Sequence, residues 1–97
     1  MTERNIKNEL YEAYLVLQDM HDIIIDFKYF DEDLINRGLN AIDKLTDWKI
    51  KDPKLKTIVF KTVELLKMQL ECSEKIREKK EEVWNDYRID ALATGSK

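Results

Sequence analysis

The sequence predicts an all-α fold: a three-helix up-down-up bundle whose long third helix projects past the core. Three observations point there. Two glycines and one proline in 97 residues leave too few turns for a sheet. Apolar residues recur at spacings of three and four, the helical period. Charged residues make up 38% of the chain and hydrophobic ones 43%, a balance that suits helices with one buried and one solvated face.

The first helix is expected from Glu3 to Tyr29. Ile6, Leu10, Ala13, Leu17, Met20, Ile24 and Phe27 follow one another at alternating spacings of four and three. Tyr14, Val16, His21, Ile23 and Phe30 widen the stripe, so this helix needs two neighbours. Asp31 is a good N-cap, with Phe30 and Ile35 placed to staple the entry, so the second helix starts there. It carries Leu34, Ile35, Leu39, Ile42, Leu45 and Trp48, and Gly38 on its buried side allows either close approach of the first helix or a kink.

Lys51-Asp52-Pro53 is the clearest punctuation: Asp52 caps, and Pro53 takes the first helical position, where its missing N–H costs nothing. Leu55, Val59, Val63, Leu66 and Leu70 then share one face. No breaker follows before Gly95, and Leu70 to Trp84 is two heptads, so the third helix is expected to continue to about Ile89. Eight of the nine residues from Glu74 to Glu82 are charged. Glu71 with Lys75, Glu74 with Arg77 and Arg77 with Glu81 stand at spacings that support an exposed helix. The alternative is a break near 72–82 followed by a short fourth helix folding back. Residues 1–92 form one helical domain in this reading, and 93–97 a disordered tail.

Helix lengths carry the functional expectation. The second helix covers only part of the first, and the third passes the top of the bundle near Cys72. Ile6 and Leu10 are therefore expected to project at one end, and Val83, Trp84 and Tyr87 at the other. Burying a Leu or Trp side chain is worth about 1.5–3 kcal/mol. Pairing two chains, one copy's Trp84 region covering the other's bare surface, removes both patches from water. A homodimer is expected.

Charge is uneven along the chain. Residues 1–48 carry a net −6, 49–67 a net +4 and 68–97 a net −1. Asp19, Asp22, Asp26, Asp31, Glu32 and Asp33 make an acidic tip and face, a candidate surface for a basic partner protein. Lys49, Lys51, Lys54 and Lys56 make a basic tip at the positive N-terminus of the third helix, a candidate site for phosphate groups of a nucleotide or nucleic acid.

Catalytic groups are scarce. His21 is the only histidine and Cys72 the only cysteine, and no Gly-rich loop cradles phosphates. Glu9 with Glu12, Asp19 with Asp22 and Glu71 with Glu74 have the i, i+3 spacing by which all-α pyrophosphohydrolases hold Mg²⁺. The Asp19–Asp26 carboxylates stand away from the apolar seam, where a solvated face belongs. No enzyme, cofactor or metal site is expected. A lone cysteine fits a reducing, cytoplasmic setting, and neither a secretory leader nor a membrane span is expected. The resulting expectation is a self-associating helical interaction protein: a regulator, inhibitor or adaptor, of a kind frequent among phage- and plasmid-derived proteins. Binding of phosphate-bearing ligands at the lysine tip is the alternative, and Mg²⁺-dependent nucleotide hydrolysis a more distant one.

Overall fold

In a computed structural model, the chain is three α-helices that all contact one another. The structure describes residues 3–47 and 49–95, with side chains over 5–47 and 49–87. The helices are α1 (Glu3–Ile25), α2 (Glu32–Thr46) and α3 (Pro53–Gly95). The molecule measures 69 × 19 × 18 Å, and the 43 residues of α3 account for that length at about 1.5 Å each. No strand occurs among the described residues. α3 is unbroken through 72–82, which overturns the alternative of a fourth helix. It also continues through 93–95, which the sequence assigned to a tail. Trp48, Ser96 and Lys97 lie outside the described residues.

α1 ends four residues earlier than its periodicity suggests. Phe27 adopts a left-handed conformation, with φ of 57°. Its N–H donates to Ile24 O at 2.9 Å, and the Lys28 N–H donates to Ile23 O at 3.1 Å. This pair of bonds is a Schellman closure, which satisfies two carbonyls of the last turn. Glycine usually fills the left-handed position, so a phenylalanine there gave no stop signal in the sequence. α2 begins as expected: the Asp31 carboxylate accepts from the Leu34 N–H at 2.8 Å. At α3 the Asp52 carboxylate accepts from the Lys54 N–H at 3.0 Å, and Lys56 N–H donates to Asp52 O at 2.9 Å.

The core runs the length of the bundle. Ile6, Ala13, Val16 and Met20 of α1 meet Leu34 and Leu45 of α2 and Leu55, Val59, Val63 and Leu66 of α3. Gly38 sits at the crossing: a Cβ there would lie 2.5 Å from Met20 Cε and 3.4 Å from Leu70 Cδ2. The missing side chain lets α2 nest against both neighbours. Tyr14 and His21, expected to widen the α1 stripe, are exposed instead. Leu39 is 48% exposed, so α2 packs with a narrower face than its sequence offers.

Candidate functional site

Ser73 marks where α3 leaves the bundle. Its side chain is buried, and its Oγ accepts a 2.7 Å hydrogen bond from the N–H of Phe30 in the α1–α2 loop. From there α3 runs a further 22 residues to Gly95, about 33 Å of helical arm. An isolated helix of charged residues is marginal in water, so it needs local support. Arg77 supplies part of it, pairing with Glu74 one turn back and with Glu81 at 3.2 Å one turn on. Lys79 pairs with Glu82 at 3.1 Å. The expected Glu71–Lys75 pair is not among the ion pairs of the described residues. The hydrogen bond from Arg77 holds the Glu74 carboxyl below its ordinary pKa, and the same bond raises that of the Arg77 guanidinium.

The arm then presents apolar surface. Val83, Trp84 and Tyr87 are 67%, 56% and 64% exposed. The rings of Trp84 and Tyr87 stack, their centroids 5.8 Å apart and their planes 20° apart. Together with Lys79 and Lys80 they line a shallow groove. A second groove adjoins it, sharing both lysines and lined by Phe27, Met68, Cys72 and Ile76. Phe27 is 75% exposed although the α1 seam placed it toward the core, because the left-handed turn swings it outward. Sequence reading missed Phe27, Met68, Cys72 and Ile76 as surface residues; the signal for three of them is a four-residue spacing on α3 away from the core face.

The opposite end differs from expectation. Ile6 is 1% exposed and Leu10 half-buried, both within the core of their own chain, so they offer no bare patch. Counting down from the level of Ser73, Leu55 lies about 27 Å below, and Ile6 lies about 28 Å below the end of α1. Ile50 of the α2–α3 loop and Leu55 of α3 belong to the same core cluster as Ile6. Exposed apolar side chains occur on the arm, as Val83, Trp84 and Tyr87, and on the bundle as well, among them Tyr11, Ile25, Phe60 and Met68.

The charged candidates fall in two places. Lys49, Lys51, Lys54 and Lys56 are all exposed at the α2–α3 end. There the Asp52 carboxylate already occupies the helix N-terminus, which lessens its attraction for an anion. Asp19, Asp22, Asp31 and Asp33 line one cleft with Ile23, Tyr29, Leu34 and Arg37, while Asp26 and Glu32 are exposed outside it. Two of the four are engaged within the chain: Asp19 pairs with Arg37 at 2.8 Å, and Asp31 caps α2. Among the described residues no group of three or more His, Cys, Asp or Glu is placed to hold a metal ion. No described helix is long and apolar enough to cross a membrane.

No protein-family model, curated protein or solved structure matches the chain.

Proposed function

We propose that this protein is a small cytoplasmic helical interaction protein, a regulator, inhibitor or adaptor and not an enzyme, whose arm joins two copies. The observation that supports this reading is the exposure of Val83, Trp84 and Tyr87 on a helix held beyond its own bundle. Aromatic side chains with a polar edge are the residues most enriched at interface anchors. The monomer leaves them in water at a cost of about 1.5–3 kcal/mol per large side chain, which association recovers. The acidic cleft of Asp19, Asp22, Asp31 and Asp33 lies on a different surface and suits a basic partner protein once the dimer has formed.

Sedimentation of the wild-type protein across a range of concentrations tests the reading. A dimer that dissociates on dilution supports it, and a monomer at every concentration defeats it. Binding to polyanions at low salt that disappears on changing Lys51, Lys54 and Lys56 together to Glu would favour the phosphate-binding alternative instead.

A further inference from the structure

On a flank of α3 that the bundle leaves bare, Ile58, Leu65 and Cys72 stand at seven-residue intervals, and Lys54, Lys61, Met68 and Lys75 form a second such row beside them. Any helix has rows of this kind; what matters here is which residues fill them. At 3.6 residues per turn the second row lies about 40–60° round the helix from the first. The acids Glu64, Glu71 and Glu78 lie farther round on the same side, about 100° or more from the first row. On its other side Thr62, Gln69 and Ile76 carry no charge. Three lysines therefore border an apolar row with no acid among them, in a chain whose net charge is −3. Ile58, Leu65, Met68 and Cys72 are all exposed, as are the lysines. Lys54, Lys61 and Lys75 make no ion pair among the described residues.

We propose that this flank docks an acidic amphipathic helix of a partner protein. This rests on the interaction-protein reading above and names the chemistry of the partner. Charge complementarity selects it. A helix laid alongside α3 covers Ile58, Leu65 and Cys72 with its own apolar seam and sets carboxylates against Lys54, Lys61 and Lys75, as flanking charges choose partners in coiled coils. An extended strand, with its period of two, does not follow rows of seven. A nucleic acid would use the lysines and leave the apolar row in water. Shallow grooves at both ends of the rows supply the seat. Pro53, Lys54, Thr57 and Ile58 line one; Phe27 walls the other beside Met68, Cys72 and Lys75, with Glu71 at its border. From Lys54 to Lys75 the flank is about 32 Å long, and it stops short of Trp84 and Tyr87.

The probe is a synthetic three-heptad peptide with leucine and isoleucine at its seam and glutamate at both flanks, labelled for fluorescence anisotropy and titrated at low salt with the full-length protein. It should bind, and peptides with glutamine flanks or a serine seam should bind at least about tenfold more weakly. Changing Lys54, Lys61 and Lys75 together to Glu should weaken binding of the glutamate peptide by a similar factor. The same variant should bind a lysine-flanked peptide more tightly than the wild type does, a gain that only a folded protein can show. No binding of the glutamate peptide, or equal binding after the lysine reversal, overturns the inference. So does equal binding of the serine-seam peptide, which would leave only a basic surface. Tighter binding to duplex DNA or to phosphatidylserine vesicles, lost in the reversal variant, gives the flank to a polyanion or a membrane and also overturns it. Sedimentation of the same samples reads self-association separately: a dimer that ignores the peptide defeats the docking alone, and a monomer that binds it defeats the self-association alone.

Discussion

The backbone N–H of Phe30 donates to the hydroxyl of Ser73, 43 residues later in the chain, at 2.7 Å in a buried setting. This bond ties the α1–α2 loop to α3 at the level where the arm departs. Ser73→Ala leaves the Phe30 N–H buried without a partner, a loss of about 1–3 kcal/mol. The better helix propensity of alanine returns about half a kilocalorie. Thermal unfolding at fixed protein concentration should show a fall in Tm of several degrees, at about 4–8 °C per kcal/mol for a domain of this size.

Phe27 holds a left-handed backbone at the end of α1 and yet lies in water. Such a conformation costs a bulky side chain about 1–2 kcal/mol, which glycine avoids. Phe27→Gly should therefore raise stability by about 1 kcal/mol. The same change removes the ring that borders the groove, so the dimer dissociation constant should rise. Denaturant unfolding and sedimentation of one variant then move in opposite directions. A fall in stability with association unchanged would show that Phe27 contributes to the fold, not to the interface.

Gly38 faces Met20 Cε and the end of Leu70. Gly38→Ala gains about 1 kcal/mol of helix propensity and spends much of it shifting the fully buried Met20, so its net effect should stay below about 1 kcal/mol. Gly38→Val adds two further methyl groups and should destabilise by about 1–3 kcal/mol. Chemical denaturation curves with equal slopes distinguish the two.

Trp84→Ala and Tyr87→Ala should each raise the dimer dissociation constant more than about tenfold, the effect of losing an interface anchor worth about 2 kcal/mol. Circular dichroism should show the bundle helices retained. If the wild type were monomeric and these variants merely less stable, the aromatic pair would be serving its own chain.

The Glu74 carboxyl titrates below its ordinary value because Arg77 hydrogen-bonds its charged form. A depressed pKa contributes stability that is present above the unfolded-state value and lost as pH falls through the folded-state one. Helicity of 74–82, followed by carbon chemical shifts, should therefore decline as acid reaches the lower part of the carboxylate range. Arg77→Gln should show that decline at a higher pH.

Much of the fold was legible because local signals agreed with the global one. Asp31, Asp52 and Pro53 each dictate a helix start through their own chemistry, and the two-heptad phase from Leu70 to Trp84 foretold an unbroken α3. The end of α1 was illegible because a phenylalanine took the position glycine normally marks. The burial of Ile6 was missed because it depends on how far the α2–α3 loop descends, which periodicity does not encode. Ser73 looked like a polar gap in a core stripe; its partner is an amide from a distant loop. For the candidate site, Val83, Trp84 and Tyr87 were readable as an apolar cluster after a charged run. Met68, Cys72 and Ile76 were obscured because a thiol and a lysine interrupt the apolar stripe, and because their importance depends on which face of α3 the bundle leaves bare.

The continuity of α3 makes one helix a ruler with two kinds of marking. Between Pro53 and Ser73 its amides are shielded by the core, and they exchange with deuterated solvent only when the bundle opens. From Glu78 to Tyr87 every side chain is exposed and no core covers the helix, so in a monomer those amides exchange through fraying of the arm, orders of magnitude sooner. Protection along a single uninterrupted helix should thus fall sharply just past Ser73 in dilute solution. It should fill in toward Tyr87 as concentration rises, so that deuterium uptake residue by residue traces how far a partner reaches along the arm.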